Sequence, residues 1–229
     1  MALIGTGAVA IWHDIMPEGR DQFYDWHGNE HMLERVGIPG FHRGRRYIAL
    51  DADLEFFNLY EADSLDLLKG PLYQDRLNSP TPWTVETVKF FRSVNRSLVH
   101  VAHSRGATEG GLCATLRYDV PDEAVPGHTE AARTLLDGIA ALPEIAGVHL
   151  MVSDKAASAV DTAERKARSE ANRIPAWIAM VEGWGDAPRF MDLCRERLAP
   201  AAFTAIGADA VEGLGLYQLQ ISVETPRTQ

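Results

Sequence analysis

Residues 38–42 read "IPGFH" and residues 145–149 read "IAGVH". A motif that returns within one chain raises the question of an internal duplication, which settles architecture before any single residue is judged. The surroundings support it. "AIWHDIMPE" (10–18) is echoed by "TLRYDVPDE" (115–123) at nearly the same offset. "LYEADS" (59–64) is echoed by "MVEGWG" (180–185), and "QDRL" (74–77) by "RERL" (195–198), at an offset larger by 14. That jump marks an insertion in the second copy, assigned to "SDKAASAVDTAERKARSEANR" (153–173). The segment is Ala-rich and charged like a solvated helix or loop, so it is expected to stand outside the core.

Working outward, "GAVAIWHDI" (7–15) has strand composition, and 17–36 carries helical spacing with Pro17 suited to a first turn. "FHRGRRYIAL" (41–50) and "EFFNLYEA" (55–62) are two strands separated by "DADL". "SLDLLKGPLYQDRLN" (64–78) is a second helical segment, and "TVETVKFFRSVNRSLVHVAH" (84–103) contains the last strand. The order β-α-β-β-α-β is a ferredoxin-like unit, whose two helices cover one sheet face and leave the other bare. Two such units bury both bare faces against each other. The expected fold class is therefore α+β: two ferredoxin-like βαββαβ repeats forming a pseudo-dimeric α/β barrel in one chain. Repeat 1 is expected over residues 1–105 and repeat 2 over 106–229, meeting near "SRGATEGG" (104–111).

This pattern, together with "WHGNEHMLERVGIPGFHRGRRY" (26–47), resembles the dimeric α/β-barrel superfamily and, within it, the EthD-like proteins. The resemblance covers most of both halves. It implies a ligand cavity between a sheet and its own helices, lined by the first strand and first helix. That superfamily includes cofactor-independent monooxygenases, polyketide cyclases, lactone isomerases and haem-containing relatives, so the fold does not name a reaction.

Composition removes several function classes. A net charge of −10 repels phosphate backbones, and the one dense basic cluster, Arg43, Arg45 and Arg46, is too short to outweigh it, so nucleic acid is not an expected partner. There is no apolar run of about 18 residues, and "MALIGTGAVAIW" lacks signal-peptide features, which points away from a membrane and toward the cytoplasm. Cys113 and Cys194 lack CxxC spacing and read as ordinary buried thiols. "GTGAVA" lacks the third glycine of a dinucleotide loop and the lysine of a phosphate loop, and no GxSxG occurs. A small-molecule substrate is the expected partner, with a second copy of the chain as the one protein partner the reading admits.

The chemistry-bearing residues gather in the first half. On helix one, Phe23, Trp26 and Leu33 form an apolar stripe whose middle is polar: His27 and Glu30 sit beside it and His31 falls four residues after His27. His13 ends strand one on the face of Val9 and Ile11, and has Tyr118 as its counterpart. Asn58 and Tyr60 share one face of strand three, and Tyr60 has Val181 as its counterpart. Arg46 shares a face with His42 and Ile48, whereas Arg43 and Arg45 lie on the other, and the ordinary reading of so basic a strand is a solvated surface. Half-buried histidines with one hydrogen bond and a strand tyrosine with a wet tip are the bland readings of the others.

Taken together, the set points to acid–base chemistry without a cofactor on a small aromatic or polyketide-like molecule, of lyase, isomerase or cyclase type. His27 or His31 would be the base, oriented by Glu30; His13 and Tyr60 would bind or protonate an oxygen; Asn58, Trp26 and Arg46 would line the substrate. The alternative is a divalent metal ion held by His27 and His31, with His13 or Glu30 as a third ligand, in a lyase or oxygenase. That spacing is weaker than HExxH because Gly28 follows His27. Haem has no local signature beyond His149 as a candidate axial ligand, and a non-catalytic binding or accessory protein is the third class. The second helix aligns Thr134 with His27 and Gly138 with His31, so its half reads as scaffold.

Overall fold

The computed structural model describes residues 2–168 and 170–225. Positions 1 and 226–229, at the ends of the two expected repeats, and 169, within the expected insertion, lie outside the described residues. In the first half, β1 (Gly7–Ile15) leads through a short 3-10 turn into α1 (Arg20–Trp26), a π-helical turn (His27–His31) and α2 (Met32–Val36). β2 (Phe41–Asp51), β3 (Phe56–Ala62), α3 (Leu65–Lys69), α4 (Pro71–Asn78), α5 (Pro82–Thr87) and β4 (Phe91–Gly106) follow. In the second half, β5 (Leu112–Asp119), α6 (Val125–Ala140) and β6 (Ile145–Ser153) precede two short helices, α7 (Lys155–Ser158) and α8 (Ala163–Lys166). β7 (Trp177–Gly183), α9 (Ala187–Arg197), α10 (Pro200–Thr204) and β8 (Asp209–Glu224) complete it.

Each half orders its strands as a ferredoxin-like sheet, and the eight strands close into one antiparallel barrel, β1-β3-β2-β8-β5-β7-β6-β4. Closure depends on β4 and β8, each 16 residues long. β4 pairs with β1 along one edge and β6 along the other, and β8 does the same for β5 and β2, so no strand is left as an open edge. The expected pseudo-dimeric α/β barrel is the observed fold.

Alternation in the strands builds two different layers. Ala8, Ala10 and Trp12 of β1, Phe57 and Leu59 of β3, Tyr47 of β2, and Cys113, Met180 and Tyr217 of the other half fill the barrel interior, where Trp12 stacks on Phe57 with ring centroids 4.7 Å apart. The alternate residues face outward under the helices: Val9, Tyr60 and Leu98 belong to the first half's outer core, and Leu116, Val148 and Val181 to the second's. Both cysteines are buried and free.

Three expectations need correction. Arg43, Arg45 and Arg46 are not a solvated surface: all three are buried. Arg43 and Arg45 enter the barrel, where Arg45 bridges Glu61 and Glu182, and Arg43 donates to Glu61 at 2.7 Å. Their charge is matched there, which is what permits burial.

The "IPGFH" and "IAGVH" echo, useful as it is, runs three residues out of register. Gly44 pairs with Tyr60 where Val148 pairs with Val181, so Arg45 corresponds to His149, not His42. His42 therefore sits partly exposed against Asp63, 2.7 Å away, whereas His149 is buried in the barrel, hydrogen-bonded to Glu182 at 3.0 Å and to Ser104 at 2.9 Å.

Finally, the segment after β6, expected to stand outside the core as a solvated element, packs against the other half with Ser158, Thr162 and Glu164 buried. β4 extends beyond the end of β6, and residues 154–173 cover its otherwise open edge: Asp154 N–H donates to Leu98 O at 2.9 Å, Arg96 N–H to Arg173 O at 2.9 Å, and Arg173 N–H to Val94 O at 2.9 Å. The insertion thus lies across the first half.

Candidate functional site

The site is built where helix one crosses the outer face of β1 and β3. The helix starts as expected, with Phe23 and Trp26 buried, and then widens to a π turn over His27–His31. A π turn takes more residues per revolution than an α turn, so everything after it rotates around the helix. Met32 and Val36 turn inward, and Leu33, expected in the apolar stripe, is 52% exposed. The same turn brings both histidines to the buried side, with ring centroids 5.5 Å apart.

Hydrogen-bond logic fixes the tautomers of His27 and His13. Arg46 can only donate, so its Nη1–H, 3.3 Å from His27 Nδ1, makes that nitrogen the acceptor. The neutral ring then carries its proton on Nε2 and donates to Tyr60 Oη at 3.1 Å. Tyr60 keeps its own O–H free to donate elsewhere. Gly44 on β2 makes room for this tyrosine: a Cβ there would come within 3.0 Å of its ring. His13 is built by the same reasoning. Its Nδ1–H faces Asp14 O at 3.4 Å, so Nε2 accepts from Asn58 Nδ2–H at 3.0 Å, leaving Asn58 Oδ1 buried without a partner among the described residues. His13 is boxed by Phe23, Phe56 and Phe91.

His31 differs from the other two. Its ring lies 4.3 Å from that of Trp26, and its Nδ1 is buried with no partner among the described residues. Trp26 is itself held by Nε1–H donation to Thr84 Oγ1 at 3.1 Å. Burial holds all three imidazoles neutral. It pushes His13 down to about 3, and it lowers His27 and His31 well below their ordinary value, helped by His31 and Arg46 at His27 and by Arg35 and Arg168 at His31. Burial raises the Tyr60 phenol above its ordinary range and lowers Arg46.

Glu30 does not join the histidines. Its carboxylate accepts from Thr81 Oγ1 at 2.6 Å, fastening helix one to α5, because the π turn directs it along the surface toward the start of that helix. The structure therefore brings together His13, His27, His31, Asn58, Tyr60, Trp26 and Arg46, and leaves Glu30 out.

Three further arginines border the group that sequence reasoning passed over. Arg35 is buried and paired with Glu164 of the insertion. Arg96 of β4 is buried and donates to Tyr73 Oη at 2.9 Å. Arg168 of the insertion has no hydrogen bond or ion pair from its guanidinium to any described residue, and burial lowers it to about 10. Arg96 was discoverable, since it alternates with Leu98 on the outer face of β4. Arg168 was not: Glu164 four residues before it reads as its partner on a solvated helix.

The metal alternative does not fit. Both ring nitrogens of His27 are engaged and a guanidinium lies against one of them; among the described residues no three His, Cys, Asp or Glu side chains are placed to share an ion. His149 does not fit an axial haem role either, because both of its ring nitrogens are bonded inside the barrel.

The second half handles the same layer differently. Gly7 pairs with Ala62 where Leu112 pairs with Gly183, which sets the correspondence of β1 with β5 and of β3 with β7. Asn58 and Tyr60 then become Ala179 and Val181. On α6, Thr134 and Gly138, the expected counterparts of the histidines, are exposed; Ala132 and Leu136 face the sheet instead. His128 in the first turn donates or accepts at Tyr118 Oη, 3.1 Å away, within a packed group of Tyr118, Trp177 and Phe203.

No family model matches the sequence, and no curated protein matches it. Solved structures do match in fold. A proposed monooxygenase from Fusobacterium nucleatum aligns with a TM-score of 0.60 at 8% identity, covering 96% of this chain and 95% of that one. An anthrone oxidase-like protein gives 0.60 at 10% identity, covering 96% and 93%. A ferredoxin-fold protein from Listeria monocytogenes, described as related to antibiotic biosynthesis monooxygenases, gives 0.50 at 10%, covering 96% and 97%. At these identities the likeness shows the ferredoxin-like barrel fold and nothing further.

Proposed function

We propose that the first-half site removes a proton from an acidic carbon or phenol of a small aromatic or polyketide-like molecule, with His31 as the base. One observation carries this reading: His31 Nδ1 is a buried ring nitrogen without a partner among the described residues, and its ring lies 6.2 Å from that of Tyr60, whose hydroxyl is engaged by His27. In the tautomer with the proton on Nε2, Nδ1 is the acceptor. A carbonyl or phenol oxygen hydrogen-bonded to Tyr60 gains charge as the proton leaves, and a preoriented donor in a dry site stabilises that charge strongly. His27 is then a positioning residue and not the base, and Asn58 Oδ1 is free to accept from a second polar group. Residues 1–105 supply the reacting groups and 106–229 the scaffold, apart from the insertion. The outcome would be lyase, isomerase or cyclase chemistry, in an EthD-like branch of the barrel proteins.

A second reading is favoured by the monooxygenase-like and anthrone oxidase-like neighbours. The same carbanion or phenolate would react with dioxygen. Both readings share the proton transfer, so it is tested first. In D2O, the protein should accelerate exchange of the central C–H of 1-phenylbutane-1,3-dione, and His31→Ala should remove the acceleration. Oxygen uptake in the same mixture would select the oxygenase branch. Absence of exchange with any C–H acid or phenol tried, alongside tight binding, would leave a binding protein.

A further inference from the structure

Charge is balanced in the barrel interior and unbalanced above the first sheet. Arg35, Arg96 and Arg168 gather around Tyr73: Arg96 donates to its hydroxyl, the Arg35 guanidinium lies 5.9 Å from its ring centroid, and Arg168 lies within electrostatic reach of both Arg96 and Tyr73. Among the described residues the only carboxylate ion-paired within this group is Glu164, and its pair is with Arg35. Glu34, the other acid nearby, is drawn to Arg76 at 2.5 Å. Arg168 feels Glu164 at longer range and the opposing charge of Arg96, so three guanidinium groups share one ion-paired carboxylate, a costly arrangement in a poorly solvated place. Arg35 Nη1 and Arg168 Nε are also buried donors with no partner among the described residues.

We infer that Arg168, carried across from the second half by the insertion, forms with Arg96 and Arg35 a carboxylate-binding subsite, so that the molecule acted on is an organic acid. The inference rests on the proton-transfer reading for its geometry: the carboxylate sits at the arginines, and the acidic carbon or phenol lies beyond it at His31 and Tyr60. Planar guanidinium groups suit a carboxylate because they can hold both oxygens. The arrangement also serves the base. Arg35 and Arg168 are among the charges that depress His31, and an anion placed on them offsets that influence, so the bound acid makes His31 a better proton acceptor.

Calorimetric titration with a matched pair of probes tests this: 1-phenylbutane-1,3-dione carrying a para-carboxylate or a para-carboxamide. The wild-type protein should bind the carboxylate at least about tenfold tighter, the factor that one modest charge-assisted hydrogen bond supplies. Arg168→Gln should abolish the preference, and Arg168→Lys should retain part of it, each in protein shown by circular dichroism to be folded. His31→Ala should keep the preference while losing C–H exchange. A wild-type protein that shows the preference but no exchange, or a His31→Ala variant that keeps both, therefore defeats the proton-transfer reading alone. Equal affinity for the two probes, no binding of the carboxylate, or a preference unchanged in both Arg168 variants overturns the subsite.

Discussion

Under α1 the outer face of β3 presents Asn58 and Tyr60; under α6 the same positions of β7 are Ala179 and Val181. The helix above the first pair carries His27 and His31 on its buried side, and the helix above the second carries Ala132 and Leu136. The backbones are repeats of one unit, yet one layer is a set of neutral, directional polar groups and the other is an apolar core. The difference shows how a duplicated fold divides labour. The second half has the packing energy of a layer whose polar pair, His128 and Tyr118, is satisfied within itself, and the first can hold unpartnered polar atoms that would destabilise a small domain on its own.

The largest effect that would sharpen this comparison is on turnover. His31→Ala should lower the exchange rate of a C–H acid by about 10² to 10⁴-fold, the range for loss of a general base, and should change stability by only about 1 kcal/mol. A variant that keeps full activity would break the assignment of roles. Next, Leu136→Ala in the second half should cost about 2–5 kcal/mol in urea unfolding because Leu136 is fully buried, with the rate per folded molecule unchanged. If it altered the rate as strongly as His31→Ala, the two layers would not be functionally distinct.

Acid should reveal the same contrast. His13, His27 and His31 stay neutral in the folded protein below the ordinary histidine value of 6.5, whereas the unfolded chain takes up protons there. Stability is therefore insensitive to these groups above about 6.5 and is lost as pH falls below it, by about 1.4 kcal/mol per pH unit for each histidine. In His13→Phe the slope measured by urea titration between about pH 6 and pH 5 should be shallower by that amount. An unchanged slope would mean that His13 is protonated in the folded state. The smallest effect is at Glu30. Since it binds Thr81 and not a histidine, Glu30→Gln should leave turnover within about threefold of wild type and lower stability by about 1 kcal/mol or less. A loss of turnover near that of His31→Ala would restore it as the orienting group.

Much of this was legible in the chain. The βαββαβ order, the period-two placement of His13, Asn58, Tyr60 and Arg46, and the lack of an imidazole pair at the centre of the second helix all follow from spacing. What was not legible depends on contacts between distant segments. The π turn has no signature that separates Met32 from Leu33, and the basic strand looked solvated because Glu61 and Glu182, which neutralise Arg43 and Arg45, lie on other strands. The insertion looked solvated for the same reason: Glu164 gives its hydrogen bond to Arg35, 129 positions away, and reaches Arg168, four residues on, only by longer-range attraction. Composition reports how polar a segment is, and it does not report which remote surface supplies the counter-charge.

The insertion that crosses from the second half to the first also has a consequence in time. During synthesis the strands of residues 7–106 leave the ribosome before residues 154–173 exist. Until those residues arrive, the outer edge of β4 from Val94 to Leu98 is an uncapped template, and Arg35 lacks its acid. The nascent first half can collapse around its own apolar residues and form its histidine contacts, but it cannot complete the arginine group beside them. Completion of the arginine group is thereby made conditional on the second half: a product truncated before residue 154 would lack both Glu164 and Arg168.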